Sequence, residues 1–333
     1  MRALAVVSVS SGSVLASFDA AALTPTVVWQ KSGANTGNAC RFSADGNALL
    51  IAVPTGFELR RAVDGSLLST VTLPSASLAY TAFSLSPDQQ TLALALFNNA
   101  VGTIELWRVS NGTLTRSITT DAVRSMKQID VSSGGVVATV ERFAYGGGGF
   151  LRVHRMSDGA LLKKLGPVVR NSTPQGLGFA HNGSYLAVSD NFSVDGISLL
   201  RTTDYGAART IGAGTFASLF AWSPDSASLW TANMQQIRVS DGAVLQTMPL
   251  VGGTVPSWPT PDNRFFLAWQ LINNTATNTF SFVRTTDGLP QLTYTLASGT
   301  VVWSEQVNAL DTLFTYEICP SNCTVYVAKM PTL

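Results

Sequence analysis

The sequence predicts an all-β fold, a β-propeller of seven four-stranded antiparallel blades whose ring is closed by its N- and C-terminal strands. Three observations carry this. A polar-Gly turn between short apolar strands recurs seven times in 333 residues. A Ser-x-Asp turn recurs upstream of several copies. The length divided by seven, about 47.6, is close to the commonest spacing between copies, and repeats of this size mark propellers.

Asp-Gly or Asn-Gly between apolar runs favours a tight hairpin, because such a turn needs positive φ that Gly and Asn adopt at little cost. The copies are Ser10-Ser11-Gly12, Val63-Asp64-Gly65, Ser110-Asn111-Gly112, Ser157-Asp158-Gly159, the degenerate Asp204-Tyr205-Gly206, Ser240-Asp241-Gly242 and Thr286-Asp287-Gly288. Their glycines lie 53, 47, 47, 47, 36 and 46 residues apart. The second marker appears as Phe42-Ser43-Ala44-Asp45-Gly46, Leu85-Ser86-Pro87-Asp88, Trp222-Ser223-Pro224-Asp225 and Pro259-Thr260-Pro261-Asp262. Proline preset near −65° and followed by Asp starts a turn. Each unit therefore reads strand a, Ser-Pro-Asp turn, strand b, loop, strand c, Asp-Gly turn, strand d.

The chain resembles the WD-repeat and related WD/YVTN-type propellers over essentially its whole length. The residues that carry this are the Ser-Pro-Asp turns and the strand Gly102-Thr103-Ile104-Glu105-Leu106-Trp107, followed by Asn111-Gly112. It departs from them in lacking a Gly-His dipeptide and in having Arg108, not Asp, after Trp107. With only His154 and His181 present, a repeated His-Asp brace cannot form. The resemblance implies the fold and no particular partner.

One more unit after Gly288 would place its turn near position 334, so the missing turn is Gly12 at the other end. Residues 1–333 then form one domain. Its last blade takes strands a (Thr300 to Ser304), b (Thr312 to Ile318) and c (Thr324 to Met330) from 300–330, and strand d, Ser13 to Phe18, from the N-terminus. Ala3 to Val9 also reads as a strand, one more than that blade needs.

Apolar residues make up 46% of the chain, ample for a core, and charged residues only 12%, against roughly 25% in ordinary globular chains. With 21 basic and 20 acidic residues there is no electrostatic reason to expect nucleic acid or an anionic membrane as partner. No apolar run reaches the roughly 18 residues of a spanning helix. Arg2, Ala3 to Val9 and Val14-Leu15-Ala16 imitate a signal peptide, but the same residues match the repeat. The low charge and the Cys319/Cys323 pair point to an extracytoplasmic setting, and the lack of an evident signal peptide points to the cytoplasm. Cys319 and Cys323 flank Pro320-Ser321-Asn322 at a spacing that closes a small disulfide loop or leaves two thiols. Cys40 reads as a small buried hydrophobe.

No nucleophile elbow, P-loop or zinc-type cysteine set is present, so no catalytic residue, cofactor or metal is assigned. Gly146 to Gly149 reads as a hairpin tip because no helix follows it. His154 falls in a strand c and reads as structural, and His181 falls in an a–b turn and reads as structural or merely exposed. The Asn-x-Ser/Thr sites, six in all, exceed chance only mildly. Trp222, Trp230, Trp258, Trp269 and Trp303 read as inter-blade packing.

Function is sought in loop asymmetry. In an antiparallel blade the a–b and c–d turns leave at one end, and the b–c and d–a connections at the other. The a–b and c–d turns are stereotyped. The b–c segments Phe97 to Gly102, Phe143 to Gly149, Asn191 to Gly196, Ile272 to Thr279 and Cys319 to Cys323 vary. They offer Phe97, Asn98, Asn99, Phe143, Tyr145, Asn191, Phe192, Asp195, Asn273 and Asn274 as an interaction face, since insertions on one face of a repeat scaffold mark binding. The expected function is a non-enzymatic interaction or scaffold propeller whose partner is a protein or a second copy of itself. The alternative is a propeller enzyme of hydrolase, lactonase or lyase type with a central-channel site.

Overall fold

The computed structural model describes residues 3–7, 14–19, 25–35, 40–75, 77–98, 101–122, 125–142, 149–166, 174–190, 196–211, 219–231, 233–249, 254–272, 275–296, 302–308, 310, 312–318 and 323–331. Strands β1 (Ala3–Val7) and β2 (Val14–Asp19) pair with each other, and β3 (Val27–Ala34) follows them. The first blade holds β4 (Cys40–Phe42), β5 (Ala48–Val53), β6 (Gly56–Arg61) and β7 (Leu67–Thr72). The second holds β8 (Tyr80–Leu85), β9 (Thr91–Asn98), β10 (Val101–Arg108) and β11 (Thr113–Ala122). The third holds β12 (Ser125–Val131), β13 (Val136–Arg142), β14 (Gly149–Arg155) and β15 (Leu161–Leu165). The fourth holds β16 (Pro174–Phe179), β17 (Tyr185–Asp190), β18 (Ile197–Arg201) and β19 (Ala207–Ile211). The fifth holds β20 (Leu219–Trp222), β21 (Ser228–Thr231), β22 (Gln235–Arg238) and β23 (Val244–Thr247). The sixth holds β24 (Thr254–Pro259), β25 (Phe265–Ile272), β26 (Thr275–Arg284) and β27 (Pro290–Thr295). The seventh holds β28 (Val302–Val307), β29 (Leu313–Ile318), β30 (Cys323–Lys329) and, from the other end of the chain, β3.

Seven four-stranded antiparallel sheets are thus present, and the ring closes between terminal strands as expected. The closing strand is not the expected one. The strand expected at 13–18 does not join the last blade: β2, Val14–Asp19, pairs with β1, Ala3 opposite Asp19 and Val7 opposite Val14. The seat beside β30 belongs to β3, with Trp29 opposite Val327 and Lys31 opposite Val325. The reason lies in the connections. Residues 35–39 join β3 to β4, as 73–79 join β7 to β8 and 248–253 join β23 to β24. Strand d at 13–18 would have left more than twenty residues to cover that distance. The surplus strand noted in the sequence is accounted for too, because it forms a hairpin with β2 instead of joining a blade.

The cores lie between blades. All six side chains of β5 are buried, and they divide between two clusters. Leu50 and Ala52 pack with Leu92 and Leu94 of the next blade, while Leu49 and Ile51 pack with Val325 and Val327 of the previous one. A strand covered on both faces needs a continuous apolar run, and Ala48 to Val53 is one. Outer strands alternate instead: in β7 only Val71 is fully buried. The first strands touch those of neighbouring blades and so lie innermost.

The turns repeat in atomic detail. Ser43, Ser86 and Ser223 each donate their hydroxyl to the Asp two residues on, at 2.5–2.6 Å. Each also accepts from the N–H five residues on, at 2.9 Å. Positive φ recurs at one turn position, held by Gly46, Gln89, Gly135, Gly183, Ser226 and Asn263. In the c–d turns positive φ falls on Gly65, Gly112, Gly159, Gly242 and Gly288, but in the fourth blade on Tyr205 and not on Gly206. Counting from Gly206 therefore shifts that repeat by one residue. Gly65 is required twice over, by φ +71 and because an added Cβ would lie 2.6 Å from the Trp29 ring.

Candidate functional site

Two regions bear on function: the axis, where the innermost strands meet, and the two faces at the blade ends. Two residues before the start of each a–b turn, one residue per blade forms a tier around the axis: Arg41, Ser84, Asp130, Gly178, Ala221, Trp258 and Gln306. Arg41 is exposed, Trp258 is 37% exposed, and Asp130 and Gln306 are half-buried. The innermost strands have an inner edge without a sheet partner, and this tier supplies acceptors to it. Gln306 Oε1 accepts from the Phe42 N–H at 3.0 Å, and Asp130 Oδ2 accepts from the Phe179 N–H at 2.8 Å. Phe42 and Phe179 hold equivalent positions, so the two contacts are one device used in two places. Ser84 Oγ donates to Asp130 Oδ1 at 2.9 Å, which ties three consecutive blades through one carboxylate. Trp222 Nε1 donates to Gly178 O at 3.0 Å and joins the fourth and fifth blades in the same tier.

Asp130 keeps some contact with solvent, yet burial of its carboxyl dominates and raises its pKa. The Phe179 N–H, the Arg41 charge and Ser84 oppose that rise. His181, in the adjoining β16–β17 turn, has its pKa lowered by desolvation against the pull of the Asp130 charge. A carboxylate whose folded pKa is raised contributes stability that is present below its unfolded pKa and is lost as pH rises through the folded value. Asp130→Asn keeps an acceptor for Phe179 and gains a donor for Ser84 Oγ, but it cannot titrate. The melting temperature of the native protein minus that of Asp130→Asn is therefore expected to be largest in acid and to shrink as pH rises. Asp130→Ala leaves the Phe179 N–H without its acceptor and should cost about 1–3 kcal/mol at neutral pH. Thermal melts of both variants across pH test this, and a pH-independent difference for Asp130→Asn would refute it.

The face of the a–b and c–d turns is chemically committed. Five c–d turns carry an Arg paired with the Asp three residues on: Arg61–Asp64, Arg155–Asp158, Arg201–Asp204, Arg238–Asp241 and Arg284–Asp287. Asn111 replaces the acid after Arg108, and its Oδ1 accepts from Thr113. These carboxylates are held below the ordinary range. The cause is chiefly the Ser66 hydroxyl at Asp64, the backbone N–H two residues on at Asp158, Asp241 and Asp287, and Arg201 at Asp204. The Arg-x-x-Asp spacing recurs plainly in the sequence and went unread there. A second period sits on strand d, opposite the residue two before that Arg, or two before Lys329 in the seventh blade. From this position Trp29, Arg116 and Arg209 donate to carbonyls of the next blade's turn: Ala62 O at 2.7 Å, Ser157 O at 2.6 Å and Ser240 O at 2.8 Å.

The b–c face departs from expectation in its loop lengths. Phe97 and Asn98 lie in β9, Asn98 opposite Val101, so only residues 99–100 connect the strands. Ile272 opposes Thr275, which leaves 273–274 as the connection. The segments read as loops at 97–102 and 272–279 are therefore mostly ladder, and β5 to β6 turns as tightly. The connections at 143–148, 191–196 and 319–322 are longer. Phe97 is half-buried. Asn99, Phe143, Tyr145, Asn191, Phe192, Asp195, Asn273, Asn274 and Cys319 lie outside the described residues, as does the Asn98 side chain. Cys323 is fully buried and disulfide-bonded, and Cys40 is buried as expected.

The other singled-out residues fall as structural parts where they are described. His154 is 4% exposed, and its Nδ1 lies 3.1 Å from Gly159 O in the c–d turn. Trp230 is fully buried and stands edge-on to Phe266, with ring centroids 4.8 Å apart. Trp258 is the exception, an exposed ring in the axial tier. Among the described residues no helix is long and apolar enough to cross a membrane.

The arrangement is similar to the β-propeller domain of Cps50 (Swd1) from Myceliophteria thermophila, with a TM-score of 0.64 at 9% sequence identity. That likeness covers 91% of this chain and 100% of the other, and at such identity it shows the fold alone. No protein-family model matches the chain. No curated protein matches it either.

Proposed function

We propose that residues 1–333 form one domain, a divergent WD/YVTN-type propeller that acts without catalysis and binds a protein partner through its b–c face. The observation that carries this is the asymmetry between faces. On the a–b and c–d face the polar side chains are spent on their own backbone, as Asp45, Asp88 and Asp225 show. On the other face the connections differ in length and composition from blade to blade, the pattern expected where a rigid scaffold presents recognition loops. Cys319 is the proposed partner of Cys323, a bond that would fix the last of those loops. With 12% charged residues, contact rests on aromatic anchors and amide hydrogen bonds and depends weakly on salt. For a partner captured from the native source, Phe143→Ala, Tyr145→Ala and Phe192→Ala are each expected to weaken binding by about tenfold or more. Asp64→Ala and Asp241→Ala should leave binding unchanged. Loss confined to the two aspartate variants, with folding intact, assigns the opposite face.

A propeller enzyme with an axial site is the second reading, favoured by the raised pKa of Asp130 in the same tier as Arg41. Against it, both Asp130 oxygens already accept hydrogen bonds that join blades.

A further inference from the structure

At three seams a donor on the outer strand of one blade seats on the c–d turn of the next: Trp29 on the first blade, Arg116 on the third and Arg209 on the fifth. Arg116 makes the fullest contact. Its Nε, Nη1 and Nη2 donate to Met156 O at 3.2 Å, Asp158 O at 3.0 Å and Ser157 O at 2.6 Å. Three successive carbonyls of one turn thus form a seat for one planar guanidinium.

The fourth turn has the same backbone and no such occupant. The Tyr205 N–H donates to Arg201 O at 2.8 Å, as the Gly159 N–H does to Arg155 O, and positive φ falls on both Gly159 and Tyr205. The matching carbonyls are those of Thr202, Thr203 and Asp204, and among the described residues none of them accepts a hydrogen bond. The strand position that Arg116 fills, opposite Leu106, is held here by Lys163, opposite Val153. Its ammonium makes no hydrogen bond among the described residues. A cavity of about 450 Å³ opens at this seam, within the size range of small-molecule sites. Thr202, Thr203, Asp204 and Tyr205 border it, and Val136 and Leu162 of the third blade add apolar surface. Tyr205 is 6% exposed, and its hydroxyl has no hydrogen-bond partner among the described residues.

We propose that this cavity binds a guanidinium group, seated on the Thr202, Thr203 and Asp204 carbonyls as Arg116 is on their counterparts. Carbonyl oxygens only accept, so the guest must donate. A guanidinium spreads five N–H groups in one plane, where an ammonium is a single point. Val136 and Leu162 suit the methylene stem of an arginine. Arg155 is paired with Asp158 and Arg201 with Asp204, so Lys163 is the cation that remains. Its charge acts on Asp204 and opposes a cationic guest. The site lies on the c–d turns, opposite the b–c loops, and does not depend on the reading given for those loops.

Amide NMR spectra of the full chain, titrated with N-acetyl-argininamide, test this. The signals of Thr202, Thr203, Asp204 and Tyr205 should move, and those of Thr285, Thr286 and Asp287 should not. That turn also lacks a seated donor, since Gln246 is bonded to Gln236, but the cavity does not border it. N-acetyl-lysinamide should bind about tenfold more weakly. Lys163→Ala removes the opposing charge and should tighten binding by about twofold or more. Lys163→Arg supplies a guanidinium from the chain itself and should weaken binding by about tenfold or more. Methylguanidinium separates two sources, and both of its outcomes support the proposal. Affinity well below that of the argininamide assigns the seat to an arginine of a partner, and equal affinity assigns it to a free guanidino compound. Unmoved signals at 202–205, equal affinity for the lysine amide, equal movement at 285–287, or undiminished binding by Lys163→Arg would each overturn the proposal.

Discussion

Removing residues 1–34 is expected to lower the melting temperature by about 10 °C or more, whereas removing residues 1–24 leaves it nearly unchanged. The difference is β3. Its ladder with β30 runs from Val27 opposite Ala328 to Ala34 opposite Cys323. Trp29 adds a hydrogen bond to Ala62 O at 2.7 Å, and Lys31 an ion pair with Glu58 at 2.9 Å, both reaching across to the first blade. Without β3 the seventh blade has three strands, β30 becomes an exposed edge, and the turn at Gly65 loses the ring that covers it. Truncation before Pro25 spares all of this, including the Lys329 N–H donated to Thr26 O at 3.0 Å. The hairpin of β1 and β2 lies wholly within the shorter deletion. Calorimetry or circular dichroism on the two truncations decides the matter. Equal losses in both would mean that the hairpin, not β3, supports the ring.

The same region shows where sequence reading runs out. Asp-Gly turns are legible because their chemistry is local: Asp64 caps Ser66 and Gly65 supplies the positive φ. A pairing between chain termini needs no turn, so nothing marks its partner. β3 reads poorly as a strand, with Gln30, Lys31, Ser32 and Gly33 in its middle, because an outer strand is covered on one side only. The stretch around Gly12 reads well because it does lie between paired strands, though the strand it brings to Val14–Asp19 is its own neighbour. Tyr205 misled by identity. The turn is defined by which residue takes positive φ, and the glycine beside it drew the alignment one residue off. The axial tier was hidden for another reason. Arg41, Ser84, Asp130, Gly178, Ala221, Trp258 and Gln306 share a position and no chemistry, so only the turn offset reveals them. The b–c face was legible as a place but not in its loop lengths, since Asn98 and Val101 extend their ladder through cross-strand pairing that composition does not show.

Replacing Glu141 with Ala should destabilise the protein by about 3–5 kcal/mol, more than the loss of the Asp130 acceptor at the axis. Glu141 is fully buried, and Arg152 beside it is 3% exposed. Arg152 Nε donates to Glu141 Oε2 at 2.7 Å, and Thr139 Oγ1 donates to Oε1 at 3.4 Å. Burial pushes the Glu141 carboxyl up, and the Arg152 hydrogen bond and charge oppose that rise. Two charges brought out of water together hold each other, and deleting one leaves the other without the group that offset its desolvation. The double replacement Glu141→Leu with Arg152→Met removes both charges while roughly keeping volume. It should restore most of the lost stability and can equal the native protein. The exposed pair Arg155–Asp158 at the end of the same strand gives the contrast. Arg155→Met should shift the denaturation midpoint little, because solvent screens that pair. Urea denaturation of the four proteins measures all of this. A Glu141→Ala loss no larger than that of Arg155→Met would show that the buried pair contributes no more than a surface one. If the double variant is as unstable as Glu141→Ala, the cost lies in packing around β13 and β14, not in the stranded charge.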